Sequence, residues 1–274
     1  MNMKEKSNKK FKIKDFGYII APKAVRFIST IERPRWFVRF LIKRFASHYK
    51  IDVFIATKPL HEYKSLLDFF VRELKPNARP IDVEETVVVS PVDAEITALG
   101  KTEDEAILLV KGNPNTISQL VEVEDCLEDY KNGYFVMLYL SPADCHRIYS
   151  PVSGKVIRSK FIDGKVYPVF QKAVEKRPDT FVINKRVVTE LESKFGKVLI
   201  VKVGALNVGR IPVNHPLPYS ETKFSYEKGS EIGRFEFGST VILLFENAKF
   251  KIDESISEGQ HVKIGEKIGA WGNF

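Results

Sequence analysis

The first place in this sequence where chemistry is available is a serine that follows a glycine at the head of an apolar run. The triplet is Gly238-Ser239-Thr240, with Phe237 before it and the run VILLF after it. A hydroxyl in that position can attack the carbonyl of the preceding residue, because glycine offers no side chain to block the approach and tolerates strained dihedrals. Attack converts the peptide bond to an ester, and elimination then breaks the chain. Such a serine needs a base, an oxyanion donor and a held geometry. A Gly-Ser step is also ordinary punctuation ahead of a strand.

Two further segments hold groups that could assist. In Ser90-Pro91-Val92-Asp93 a carboxylate follows a short β-rich run, where it could orient a histidine or close an Asx-type turn. In LSPADCHRIYSPVSGKV (140–156) the pair His146-Arg147 follows the apolar run YFVMLYL. Histidine titrates near neutrality and is the usual proton shuttle, although a lone one also serves as a hydrogen-bonded structural residue. His48, His61, His215 and His261 show no metal-ligand spacing, so no metal site is expected. Cys126 and Cys145 form no CxxC pair and read as reduced thiols. The glycines of VGALNVGRI (203–211) allow close backbone approach, but the spacing is not that of a dinucleotide fingerprint. ISEGQHVKIGEKIG (256–269) has the turn pattern of biotinyl or lipoyl modules without their carrier lysine, and reads as β architecture only.

The elements that must position these groups change character near residue 81. Before it, RPRWFVRFLIKRFASHYK predicts a helix opening at Pro34, with Arg35, Arg39 and Lys43 on one face and Trp36, Phe37, Phe40, Leu41 and Phe45 on the other. A second helix is expected from about Tyr63 to Leu74, ending before Pro76. After it come short β-rich runs separated by Gly, Pro, Asn and Asp: Thr86–Val89, Ala106–Val110, Tyr134–Leu140, Lys155–Ile162, Val198–Val203, Thr240–Phe245 and Val262–Ile268. One helical insert is expected at about Thr116 to Leu127. The fold class is α+β: a mainly antiparallel, barrel- or sandwich-like β body carrying N-terminal amphipathic helices. The expected division is 1–75 for the basic tail and helices and 76–274 for the β-rich catalytic unit.

The 274 residues carry a net charge of +8, but residues 1–50 alone hold +11 and the remainder −3. A basic arm on a nearly neutral body points to a polyanionic surface. No apolar stretch reaches the roughly 18 to 20 residues of a spanning helix, and no secretory signal is evident. The composition excludes a collagen-like, coiled-coil or mainly disordered chain.

Five segments taken together, LLDFFVRELKPNARPI (66–81), SPVDAEI (90–96), LSPADCHRIYSP (140–151), VGALNVGRI (203–211) and FEFGSTVILLFE (235–246), resemble the phosphatidylserine decarboxylase family. The resemblance runs from about residue 60 to 250. It implies a proenzyme that cuts itself between Gly238 and Ser239, giving a β chain 1–238 and an α chain 239–274 headed by a pyruvoyl group made from Ser239. That ketone would capture the amine of phosphatidylserine as a Schiff base and accept the electrons released with CO2, yielding phosphatidylethanolamine. Asp93 matches the triad aspartate of the family, and His146 the first histidine of its His-Arg-x-His element, linked there with substrate handling and decarboxylation. The second histidine, the usual base for self-cleavage, is here Tyr149. Ala94 replaces a glycine, and Asn184-Lys185-Arg186 departs from Asn-Glu-Arg. Three outcomes are open at this point: His146 serves as the base, Tyr149 assists by hydrogen bonding, or the chain stays whole as a silent lipid-surface binding homologue. Decarboxylation of a soluble amino acid on the same scaffold is a further alternative. With a lipid substrate the basic arm implies a peripheral protein on an anionic phospholipid membrane, at its cytoplasmic face. Nucleic acid is not an expected partner, because no recognition fold accompanies the charge.

Overall fold

Long apolar runs bounded by turn residues become central strands here, because both of their faces are covered. The computed structural model describes residues 22–102, 107–110, 113–122, 127–206, 210–218, 223–246 and 250–272. Its main sheet has eight strands in the order Ser225–Tyr226, Gly154–Ile162, Arg186–Ser193, Lys197–Gly204, Ser239–Phe245, Tyr134–Leu140, Ala94–Lys101 and His261–Val262. Every neighbouring pair is antiparallel. The sheet does not close into a barrel among the described residues. Ser239–Phe245 lies near its middle and is buried at every position. Each fully buried Val, Ile, Leu or Phe contributes about 1.5–3 kcal/mol, so this run is a main source of cohesion. Ala94–Lys101 instead begins by alternating buried and exposed residues along its length.

A second, three-stranded sheet, Val87–Val89, Lys267–Trp271 and Phe250–Ile252, covers one end of the first. Phe250 stacks on Phe245 at 3.8 Å between ring centroids, and Trp271 meets both rings edge-on. The expected continuous strand Val262–Ile268 is broken by a turn at Gly265. That glycine has φ +87°, and a side chain there would run into the Pro80 carbonyl.

Helix α1 spans Pro22–Ser29, α2 Arg35–His48 and α3 Leu66–Phe70. Helix α3 is much shorter than the pattern predicts. The Ser65 hydroxyl accepts the Asp68 N–H at 3.1 Å and fixes its start, and the helix ends at Val71. Helix α2 buries Val38, Ile42 and Ala46 against Tyr63 and Phe69. The expected aromatic face divides: Phe45 turns inward onto Phe69 and Phe70, whereas Trp36 and Phe40 are exposed. The predicted helical insert resolves as Ile117–Val121 and Leu127–Tyr130; residues 123–126, with Cys126, and the lysine-rich residues 1–21 lie outside the described set. Arg186, fully buried, holds the first of these pieces to the sheet by donating to the carbonyls of Gln119 and Leu120, and also donates to that of Val182.

On the sheet face shared with Ser239, a buried polar chain links Lys202, Thr189, Ser159, His215 and Tyr226. The Lys202 ammonium is fully buried, donates to Thr189 Oγ1 at 2.6 Å, and has no carboxylate partner among the described residues. Burial lowers its pKa to about 7. The folded state therefore binds fewer protons than the unfolded state between about pH 7 and pH 10, and this group adds stability as pH rises through that window. Lys202→Met should raise the melting temperature at pH 7 and remove that part of the pH dependence. Melting curves at pH 7 and pH 9 check this; an unchanged slope in the variant contradicts it.

Candidate active site

Ser239 opens its strand opposite Gly204 on one side and Leu140 on the other. It is fully buried, and its Oγ has no hydrogen-bond partner among the described residues. A buried hydroxyl without a partner costs about 1–3 kcal/mol, so its presence here calls for a chemical reason. The Gly238 carbonyl just before it accepts the Ala205 N–H at 3.1 Å, which extends the strand ladder by one bond. The carbonyl that the serine would attack is thus already polarised by a backbone donor. Gly238 is half-buried, and space lies open where its side chain would be. Phe237 has φ +95°, a region that non-glycine residues rarely occupy, so strain sits next to the Gly238–Ser239 bond.

The donor is itself held. Asn184 is fully buried and donates from Nδ2 to the Gly204 carbonyl at 2.8 Å and to the Tyr167 carbonyl at 2.8 Å. Its Oδ1 accepts the Tyr167 N–H at 2.9 Å. The Gly204 N–H donates to the Lys185 carbonyl at 2.9 Å. The turn that presents the Ala205 N–H is therefore fixed on both sides. The family departure at Lys185 leaves this untouched, because Lys185 contributes a backbone carbonyl.

His146 lies beyond the end of Tyr134–Leu140, and its carbonyl accepts the Phe235 N–H at 2.9 Å, four residues before Ser239. The Phe70 ring packs against the imidazole at 4.0 Å and against Phe237 at 5.0 Å, tying histidine and serine segments to one aromatic wall. His146 Nδ1 is 3.1 Å from the Asp144 carbonyl. A carbonyl only accepts, so this contact assigns the proton to Nδ1 and leaves the lone pair on Nε2. Nε2 is buried and has no hydrogen-bond partner among the described residues. Burial pushes the pKa of His146 down to about 4, against an opposing pull from Asp144. At neutral pH the ring is an uncharged base with a free acceptor nitrogen.

Asp93, the expected triad aspartate, makes no hydrogen bond to a histidine among the described residues. Arg79 forks onto it, Nε to Oδ1 at 2.8 Å and Nη2 to Oδ2 at 2.7 Å, and the Ile264 N–H adds a third bond at 2.9 Å. With both oxygens engaged, Asp93 holds the 79–93 segment to the turn before Gly265. Its charge reaches His146 only through space.

Tyr149 sits in the short strand Arg147–Tyr149, paired with Glu231, and lines a cleft of about 440 Å³ with Arg79 and Lys75. Burial raises its pKa further above the ordinary tyrosine value, so near neutrality it keeps its proton and can donate a hydrogen bond but not act as a base. The Cys145 thiol is buried and pushed up to about 11, which leaves it unreactive. Ala205, Asn184 and Arg79 are not singled out by side-chain patterning. The glycines around Ala205 and the Asn184 motif were the available signals.

The phosphatidylserine decarboxylase family model matches residues 66–270. The chain is 40% identical over 242 residues to the phosphatidylserine decarboxylase proenzyme of Anoxybacillus flavithermus, covering 88% of this chain and 89% of that protein. It is 36% identical over 239 residues to the proenzyme of Myxococcus xanthus, covering 83% and 85%. With the proenzyme of Bacillus subtilis it shares 34% over 229 residues, covering 84% and 85%. A match across three quarters of the sequence, over the segments that hold Ser239, His146 and Asp93, makes this chain a member of the phosphatidylserine decarboxylase family.

Proposed function

We propose that the chain is a phosphatidylserine decarboxylase that makes its own pyruvoyl group by cutting between Gly238 and Ser239. The observation that carries this reading is the buried, unpartnered Ser239 hydroxyl beside a carbonyl that already receives a backbone donor. Ser239 Oγ attacks the Gly238 carbonyl carbon, and its proton passes to a base. Charge on the carbonyl oxygen is met by the Ala205 N–H. The C–N bond breaks with return of the proton to the freed amine, which leaves an ester. Loss of the Ser239 Cα proton then breaks the Cβ–Oγ bond and leaves Gly238 with a carboxylate, ending the β chain. The enamine left on residue 239 tautomerises, takes up water and loses ammonia.

His146 is the base that the geometry favours, because it is neutral, buried and unpartnered at Nε2. Tyr149 would have to ionise against a raised pKa. The surroundings fit the group that results: an apolar wall of Phe70 and Phe237, a free acceptor nitrogen and, among the described residues, no side chain hydrogen-bonded to Ser239 Oγ. The pyruvoyl ketone supplies an electron sink that captures a substrate amine and accepts the electron pair left when CO2 departs. Phe70 and Phe237 exclude water there and so favour loss of a charged carboxylate. His146 Nε2, vacant at neutral pH, would take up a proton from the substrate ammonium and pass it to the decarboxylated carbon.

The membrane reading is the finer part of this proposal. No helix among the described residues is long and apolar enough to cross a membrane. Helices α1 and α2 expose Phe27, Trp36 and Phe40 amid Arg26, Arg33, Arg39, Lys43 and Arg44. Trp36 and Phe40 are four residues apart and share a helix face. This patch, with the basic residues that precede it, suits the headgroup layer of an anionic leaflet facing the cytoplasm.

Four results test the proposal. The wild-type protein should release CO2 from phosphatidylserine and Ser239→Ala should release none. His146→Gln should slow chain splitting by about a hundredfold or more, whereas Tyr149→His should leave it within about threefold. The wild-type splitting rate should be flat from pH 6 to pH 8 and fall as pH drops through about 4, where His146 gains a proton. A fall centred near pH 6.5 would argue for a solvated histidine instead. Replacing both Trp36 and Phe40 by Ala should weaken binding to vesicles containing phosphatidylserine without changing chain splitting, as sedimentation and gel analysis would show.

A further inference from the structure

Arg72 is only 3% exposed, two residues beyond the end of α3. Its Nη2 donates to the Ala143 carbonyl at 2.6 Å and to the Asp144 carbonyl at 3.3 Å. Its Nε and Nη1 are buried with no hydrogen-bond partner among the described residues, and the guanidinium lies 5.3 Å from the centre of the Phe69 ring, which attracts the cation but accepts neither N–H. Burial lowers the pKa, yet a guanidinium stays charged. Asp93 and Asp144 act on it only at a distance, and no carboxylate among the described residues forms an ion pair with it. A buried cation with two idle N–H donors and no counter-ion is costly unless something anionic meets it.

Its position says which reaction that anion takes part in. The Asp144 carbonyl that receives Arg72 Nη2 also faces His146 Nδ1 at 3.1 Å, so guanidinium and imidazole meet on one oxygen. Phe70, in the same short helix, packs on both His146 and Phe237. On its other side α3 packs on α2 through Phe69, and α2 carries the exposed Trp36 and Phe40. Arg72 thus stands between the face proposed to meet lipid and the histidine of the site.

Phosphatidylserine offers two anions, and the chemistry separates them. A guanidinium bound to the carboxylate would stabilise a charge that disappears as CO2 leaves, which would slow the reaction. The phosphodiester keeps its charge from substrate to product. We propose that Arg72 is the phosphate-binding residue of the site, with Nε and Nη1 held ready for two oxygens of the head-group phosphodiester. This rests on the decarboxylase reading.

Uniform binding of substrate, transition state and product moves KM and spares kcat. Arg72→Gln should raise KM for phosphatidylserine in mixed micelles by about tenfold or more, with kcat changing less than about twofold. Glycerophosphoethanolamine should lose inhibitory strength by the same factor, and Arg72→Lys, which keeps the charge without the fork, should recover part of it. On the wild-type enzyme, glycerophosphoethanolamine should inhibit at least about tenfold more tightly than ethanolamine, a comparison that needs no variant to fold. Unchanged KM and inhibition in Arg72→Gln, a loss confined to kcat, or equal inhibition by the two amines would each overturn the assignment. Absence of CO2 release by the wild-type protein would instead refute the decarboxylase reading itself.

Discussion

The site depends on one backbone hydrogen bond, from the Ala205 N–H to the Gly238 carbonyl. It exists because two buried strands, Lys197–Gly204 and Ser239–Phe245, pair in a register that puts Ser239 opposite Gly204. A slip of one residue would turn the serine to the other face of the sheet and remove the donor together. Five consecutive apolar residues after Thr240, buried on both faces, make such a slip prohibitive. The cohesion of the core and the activation of one peptide bond therefore have the same source.

Around that bond the fold withholds ordinary satisfaction from its polar groups. Ser239 Oγ, His146 Nε2 and two nitrogens of Arg72 are all buried without hydrogen-bond partners among the described residues. Elsewhere the same protein satisfies buried polar atoms at length: Arg186 makes bonds to four backbone carbonyls, and the Lys202–Tyr226 chain joins five side chains. Unpartnered buried atoms also occur away from the site, at Tyr63, Arg158, Glu190 and Trp271, so what sets Ser239, His146 and Arg72 apart is the Phe70 wall and the Asp144 carbonyl that link their segments.

Much of this was legible in the residues. Continuous apolar runs at Tyr134–Leu140 and Ser239–Phe245 have no alternative to a covered central strand, and the helical repeat of Arg35, Arg39 and Lys43 fits α2. The Gly-Ser-Thr and Ser-Pro-x-Asp-x-His-Arg wording sufficed for the family. What escaped the sequence was set by distant contacts. Whether Phe45 faces lipid or core depends on Phe69 and Phe70. Asp93 reads as a histidine partner until Arg79 closes on it from fourteen residues away. The oxyanion donor is a main-chain group of an alanine, invisible to any pattern of side chains. The overextended helix at 63–74 failed because Ser65 caps late and the chain turns out at Val71, leaving Arg72 free to bury its side chain beside His146.

The central claim concerns the integrity of the backbone before residue 239. Mass spectrometry of the purified protein, with and without a carbonyl-reactive hydrazide, addresses it most directly. The account predicts two polypeptides, one ending at Gly238 and a 36-residue partner whose first residue is a ketone that takes up the hydrazide. A single species of 31.3 kDa that takes up none would contradict it.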